Sequence, residues 1–366
     1  MILHFYFARR FLASFALIFI VLFALVMLVD LVDQSRRFAE DGLGFDQLLG
    51  LSLLSVPETI NQILPLMMIL ATVTLFTRLA RSSELVATRA AGRSGLTFLA
   101  GPLAVAGVIG LLAVAVLNPI VAATSKQFAQ KSEVYKTGGR AALSISDEGL
   151  WLRQGNPGGG QTVIRAWRSN ADASVLYDVT FVDYAPDQGP VRRIEAQSAA
   201  LGAGGWRLSQ AKIWPLNAGT NPETNAQVFD RFDLETTLTL DRIRDSFGTP
   251  STLPIWDLPA FITQLEQAGF SARLHQVWLQ SELARPLFLI AMVLVASAFT
   301  MRHSRFGGTG VAVLTAVLLG FGLYFIRSFA LILGENGQIS VLLAAWAAPL
   351  ASVMLALGLV LHMEDG

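Results

Sequence analysis

Residues 11–29 run for 19 positions without a charge. As a helix that length spans the ~30 Å hydrocarbon core of a bilayer. Five more mainly apolar stretches follow, at 48–77, 96–125, 277–301, 307–333 and 339–361. A bilayer offers the backbone no water, so each stretch must close its own hydrogen bonds as a helix. The chain is 53% hydrophobic and 15% charged, against about 25% charge in ordinary soluble domains. These features predict an integral membrane protein with six transmembrane helices. Arg9 and Arg10 before the first run resemble the start of a signal sequence, but the apolar core is too long and no small-residue cleavage site follows. The first run is therefore expected to stay in the protein as a helix.

Residues 126–250 differ in character. Short β segments are expected at 141–154, 161–168, 174–184, 191–199, 206–214 and 227–240, separated by turn clusters such as NPGGG (156–160) and PDQGP (186–190). That spacing predicts an all-β domain: a sandwich, a jelly roll or a partly open barrel. NPGGG is a turn and not a phosphate cradle, because no lysine-bearing helix follows it. After the β segments, Asp257 is placed to cap a short amphipathic helix with Leu258, Phe261, Ile262 and Leu265 on one face and Gly269 at its end. Such a helix suits a membrane interface. The organisation is three spans (1–125), a β domain (126–256), then an interfacial helix and three spans (257–366).

Arginines set the orientation. Arg9 and Arg10, the group Arg78, Arg81, Arg89 and Arg93, and Arg302 with Arg305 fall on one side of a six-span chain. That side is expected to be cytoplasmic, with both termini. The opposite side receives the β domain, the turn GENGQ (334–338) and an acidic first loop bearing Asp30, Asp33, Glu40, Asp41 and Asp46.

Two stretches are polar where lipid would not tolerate it. The first half of the second span carries Ser52, Ser55, Pro57, Glu58, Asn61, Gln62 and Pro65. Either these groups face protein or a wet cavity, in a helix bent by its prolines, or the span starts later and 48–60 lies at the interface. The second stretch, LARSSELVATRAAGRSG (79–95), reads as a short helix or as a plain polar loop. Ser83 can cap a helix whose first turn holds Glu84 and whose last turn holds Arg89, and Gly92 can take the left-handed position after it. Two turns, roughly 12 Å, are too short to stand alone in water, so a helix here must dock on something.

No GxxxxGK[ST] phosphate loop occurs, nor GxSxG, HExxH or a kinase-type DFG set. There is no cysteine, and the four histidines are scattered, so thiol chemistry is excluded and a metal site is not expected. A formal net charge of zero argues against nucleic acid as a partner. The unusual groups are cations near the outer side: Arg36 and Arg37 after the first span, Arg285 in the fourth and Arg327 in the fifth. Guanidinium at that depth is costly in lipid and suits phosphate or carboxylate. Each also has a plainer explanation: a solvated face for Arg36 and Arg37, an i,i+3 pair with Glu282 for Arg285, and snorkelling for Arg327.

Several segments together carry a resemblance: LVDQ (31–34), LLSVPETI (53–60), PL (65–66), SELVATRAAG (83–92), EGLWLR (148–153) and RPL (285–287). In this order, over essentially the whole chain, the sequence resembles the LptF/LptG family of lipopolysaccharide export permeases, and the VDQ and SVP segments lean toward its LptG-like branch. The resemblance implies a heterodimer with a paralogous LptF-like permease and an outward-facing cavity for lipopolysaccharide. It implies an LptB-like cytoplasmic ATPase dimer docked on residues 83–91, through Ser83, Glu84, Leu85, Val86, Arg89 and Gly92. ATP and Mg would belong to that partner, and this chain would carry no cofactor. It further implies a periplasmic β-jellyroll that hands lipid to LptC-like and LptA-like bridge proteins, and lateral gates at the first and fifth spans. Head-group contacts would fall to Arg36, Arg37, Arg285 and Arg327. The sequence departs from the family at Asp30 and Glu282, where relatives often carry a basic residue.

Three readings follow. The chain is a permease driven by a separate ATPase, or a membrane enzyme acting on lipid with Glu58, Glu282 and Arg285 at its site, or an anchor that displays a β domain.

Overall fold

The computed structural model describes residues 2–39, 43–82, 84, 95–137, 143–146, 149–155, 160–169, 174–185, 189–202, 205–216, 221–236, 249–267, 271–301 and 309–365. The chain divides into two compact units. The first comprises 1–132, 251–255 and 273–366; the second comprises 133–250 and 256–272.

The first unit is helical. Helix α1 spans Ile2–Arg37 and α2 spans Phe45–Arg81; α3 (Gly95–Leu112) continues through a π turn (Ala113–Leu117) into α4 (Asn118–Thr137). After the second unit come α6 (Arg273–Leu283), α7 (Arg285–Thr300), α8 (Thr309–Glu335) and α9 (Val341–Asp365); α5 belongs to the second unit. Five of these helical stretches are long and apolar enough to cross a membrane, and α6 with α7 makes a sixth, bent by 48°. The protein is a multi-pass membrane protein. The bend has a local cause: Pro286 has no N–H for the helix ladder, and it disfavours helical geometry in the residue before it.

Helix α7 is the axis of the unit. Phe288, Leu289 and every residue from 291 to 296 are buried, and α7 packs against α2, α3, α8 and α9. Its meeting with α3 is close: a Cβ on Gly110 would lie 2.5 Å from Pro286 Cα.

Three expectations change. Asp30 and Asp33 lie within α1 and not in an acidic loop, because the helix continues to Arg37, where two arginines suit its C-terminal dipole. Glu40 and Asp41 lie outside the described residues. The second span does not start late: α2 is continuous from Phe45 through Pro57 and Pro65, and Ser52 and Asn61 are buried against protein. The third span is longer than 96–125, its helix running on to Thr137.

The second unit holds an all-β domain inserted between α4 and α6. Its seven strands form one antiparallel sheet in chain order: β1 (Leu143–Ser146), β2 (Gly149–Gly155), β3 (Gln161–Ser169), β4 (Val175–Ala185), β5 (Gly189–Gly202), β6 (Gly205–Pro215) and β7 (Gln227–Glu235). The segment expected at 141–154 is two strands, with Ser146 opposite Gly149. Helix α5 (Leu258–Gln267) follows and packs near β1.

One sheet face is apolar and buried. It carries Leu152, Ile164, Ala166, Phe181, Ile194, Trp206, Leu208 and Leu234, with Phe181 and Trp206 edge to face at 6.2 Å. Asp178 takes a positive φ of 53°, so Leu176 and Val179, three positions apart, both face the core. The sheet curls on itself: Thr236, just beyond β7, hydrogen-bonds Gln154 on β2. This up-and-down rolled sheet differs in strand order from a Greek-key jelly roll but shares its closed apolar interior.

Candidate functional site

The polar half of α2 leads to the centre of the helical unit. Pro65 has no N–H, so the carbonyl four residues earlier, on Asn61, loses its normal helix donor. In a water-poor interior that oxygen needs another. Arg285, at the first position of α7, supplies it: its Nη1 lies 2.8 Å from the Asn61 carbonyl oxygen and 2.6 Å from Asn61 Oδ1. Its Nη2 pairs with Glu282 one turn earlier. Arg285 is 8% exposed and Glu282 fully buried. The i,i+3 pair anticipated for Arg285 is therefore present, and a contact with Asn61 joins it.

Arg327 reaches the same region from α8. Its Nη2 donates to the Ser281 carbonyl at 3.3 Å, and its guanidinium sits 5.2 Å from the Phe288 ring centroid. It is buried, not snorkelled to an exposed edge. Arg285 and Arg327 thus both lie at the bend between α6 and α7, Arg285 paired with Glu282 and Arg327 with the Ser281 carbonyl. Among the described residues Glu282 Oε2, Arg285 Nε and Arg327 Nε have no hydrogen-bond partner. Nearer the start of α2, Glu58 accepts from Ser125 Oγ at 2.9 Å. Glu58 is thus held by α4, while Glu282 and Arg285 pair with each other beside Asn61, so among the described residues no bond joins Glu58 to the other two groups of the enzyme reading.

The bend is tied from the far side as well. Arg273, opening α6, donates from Nε to the Gly334 carbonyl at 2.6 Å and from Nη2 to the Ile339 carbonyl. Trp346 Nε1 donates to Gln280 at 3.0 Å. The GENGQ turn is clamped to α6 by these bonds, and Gly337 takes the positive φ of 82° that the turn requires. Arg36 and Arg37 are exposed in the last turn of α1.

The other functional stretch lies at the opposite end of α2. Ser83, Leu85, Val86, Arg89 and Gly92 lie outside the described residues; of these docking residues Glu84 alone is described, and it is helical. Its carboxylate is engaged on both oxygens. Tyr6 OH donates to Oε2 at 2.8 Å, Ser82 Oγ to Oε1 at 3.0 Å, and Arg10 Nη2 to Oε1 at 3.4 Å. Arg10 also lies 5.0 Å from the Tyr6 ring centroid.

Sequence reasoning singled out Arg285, Arg327 and Glu84 and anticipated the Glu282 pair, but missed Asn61, Ser281, Tyr6 and Arg10 as partners. The Asn61 contact had a signal, a proline four residues downstream in a buried helix. The Tyr6–Arg10 pair had only i,i+4 spacing, which places both on one face of α1. Among the described residues no group of His, Asp and Glu side chains gathers to hold a metal ion.

The chain was compared with known proteins. The family model described as lipopolysaccharide export system permease LptF/LptG matches residues 5–362. The lipopolysaccharide export system permease protein LptG of Escherichia coli (strain K12) is 28% identical over 321 residues, covering 85% of each chain. The protein of that name from Haemophilus influenzae is 22% identical over 343 residues, covering 91% of this chain and 90% of its own. A match that takes in every span and the β insertion leaves one assignment: the chain belongs to the lipopolysaccharide export system permease LptF/LptG family.

Proposed function

We propose that this chain is the LptG-like permease subunit of a transporter that lifts lipopolysaccharide out of the bacterial inner membrane toward a periplasmic bridge. The observation that carries this is the family match over residues 5–362, which spans both units. Lacking a phosphate loop, the permease takes its energy from a separate LptB-like ATPase dimer, which binds the ATP and Mg. Its membrane partner is an LptF-like paralogue, and LptC-like and LptA-like proteins receive the lipid. The arginine distribution supports cytoplasmic termini and a periplasmic β domain.

The ATPase docks on residues 83–91, with Glu84 as the main charged contact. Lipid phosphates meet Arg36 and Arg37 first, since these guanidiniums are exposed at the end of α1. Arg285 and Arg327 act from within: with Glu282 they leave one excess positive charge at the bend, a field that favours an anion nearby.

The test is purification of the chain co-expressed with its paralogue and the ATPase. Wild type retains the ATPase stoichiometrically, Glu84→Lys loses it, and paired Arg36→Ala and Arg37→Ala reduce lipid cross-linking. Lipid conversion by the isolated chain without ATP would favour the membrane enzyme instead.

A further inference from the structure

We infer that Tyr6 and Arg10, at the N-terminal end of α1, are positioning residues for the ATPase-docking carboxylate of Glu84 and carry the motor's engagement to α1. The inference rests on the docking reading above. Three observations support it. Tyr6, Arg10 and Ser82 bond both oxygens of one carboxylate from two different helices. The sequence separation is large, 78 positions from Tyr6 and 74 from Arg10, so the contact joins the two ends of the α1–α2 hairpin where the chain leaves α2 for the docking stretch. And α1 and α2 are unlike: among the five unbroken spans, the apolar stretch of α2 is the most buried and that of α1 the least. A tie at this point therefore links a largely buried helix to the one whose apolar stretch is most exposed.

The strength of the tie fits exchange. The Arg10 and Glu84 side chains are 47% and 32% exposed, and ion pairs at such exposure add little to fold stability. The Tyr6 hydroxyl bond to a charged oxygen is the stronger component. Together they orient Glu84 without locking it, so a cation from a docking partner can displace Arg10 while Tyr6 keeps the carboxylate aimed. When Arg10 is displaced, the α1 end loses its ion pair to Glu84 and keeps the phenol contact beside the buried packing of Phe7 and Phe11. Docking then changes how firmly the α1 end is tied to Glu84.

The experiment uses the whole complex in proteoliposomes containing lipopolysaccharide. It measures lipid released to a soluble acceptor per ATP hydrolysed, ATPase occupancy, and yield of the permease dimer. Tyr6→Phe removes only the hydroxyl; Arg10→Gln removes the cation; Arg10→Lys restores it. Tyr6→Phe and Arg10→Gln each lower lipid released per ATP, or ATPase occupancy, by about two- to fivefold, the worth of an exposed charged contact. Arg10→Lys recovers most of the loss, and dimer yield is unchanged in all three. Wild-type ratios and occupancy in both Tyr6→Phe and Arg10→Gln, with Glu84→Lys still losing the ATPase, overturn the inference and leave the docking reading standing. Reduced dimer yield in both variants makes the contact structural and also overturns it. If Glu84→Lys retains ATPase and export, the docking reading falls and takes this inference with it.

Discussion

Arg285 donates to the main-chain carbonyl of Asn61, 224 positions away in sequence, because Pro65 cannot. One proline frees an acceptor within a membrane helix, and a cation from another helix fills it. This couples α2 to the bend between α6 and α7 and explains why an arginine is tolerated in a span.

Replacing Arg285 by Ala leaves the Glu282 carboxylate buried without its cation and the Asn61 carbonyl without a donor. The expected cost is roughly 3–5 kcal/mol, as for breaking other buried pairs. Pro65→Ala in the same background gives the carbonyl back a helix N–H and recovers about 1–2 kcal/mol. Thermal unfolding of the purified permease in detergent, followed by size exclusion, reads both. Absence of any rescue would show that the Asn61 carbonyl is not what Arg285 serves.

The glycines at helix crossings separate by what they meet. A Cβ on Gly110 would strike the Pro286 backbone at 2.5 Å, whereas one on Gly320 would meet the Ile69 side-chain tip at 2.1 Å. Backbone cannot yield cheaply, while an isoleucine Cδ1 can rotate away. Gly110→Ala should therefore lower stability by about 1–3 kcal/mol, and Gly320→Ala by clearly less, in side-by-side melts.

In the β domain the closing contact is Thr236 to Gln154. Thr236→Val keeps the shape and removes the donor. Hydrogen exchange should then rise for the β7 amides next to Thr236 while β4 and β5, central in the sheet, stay protected. Trp206→Ala, fully buried against Phe181, should cost about 3–5 kcal/mol and loosen the whole sheet. Exchange changes spread uniformly over the sheet in Thr236→Val would argue against a local closure.

Lys212 holds the Glu223 carboxylate, helped by the Trp214 indole N–H, and the Glu223 pKa is lowered below the ordinary glutamate value. A depressed folded pKa means the tie is present above the unfolded-state value and is lost as pH falls through the folded one. Trp214 also stacks under Lys212 at 4.9 Å, so its fluorescence reports the change. The acid transition should lie below the ordinary glutamate range and vanish in Glu223→Gln. A transition at or above that range would contradict the assignment.

Much of this was legible in the sequence, because apolar length and arginine bias act directly on a chain in a bilayer. The six spans follow from the length of the apolar runs, and the inserted β domain from short segments set apart by turn residues. The sixth-span count survives only through a bent pair, since Pro286 divides the fourth span into α6 and α7. The 141–154 segment hid a hairpin because no Gly-Asn or Pro-Gly pair punctuates it. At the candidate site the sequence identified the charged residues and the local Arg285–Glu282 pair but not the partners that come from other helices. Asn61 and Arg285 meet only through tertiary packing, and Tyr6 meets Glu84 only because α1 and α2 run side by side. Spacing rules do not reach across such separations. The docking residues other than Glu84 lie outside what the structure describes, and their role rests on the resemblance.

The central claim is that this chain moves lipopolysaccharide with energy from another subunit. The direct measurement is reconstitution of the chain with its paralogous permease and the ATPase in lipopolysaccharide-containing proteoliposomes, scoring lipid transferred to a soluble periplasmic acceptor. Transfer that requires ATP, the ATPase and this chain together is the predicted result. Equal transfer when this chain is omitted, or lipid chemically altered without ATP when it is present, would contradict the account.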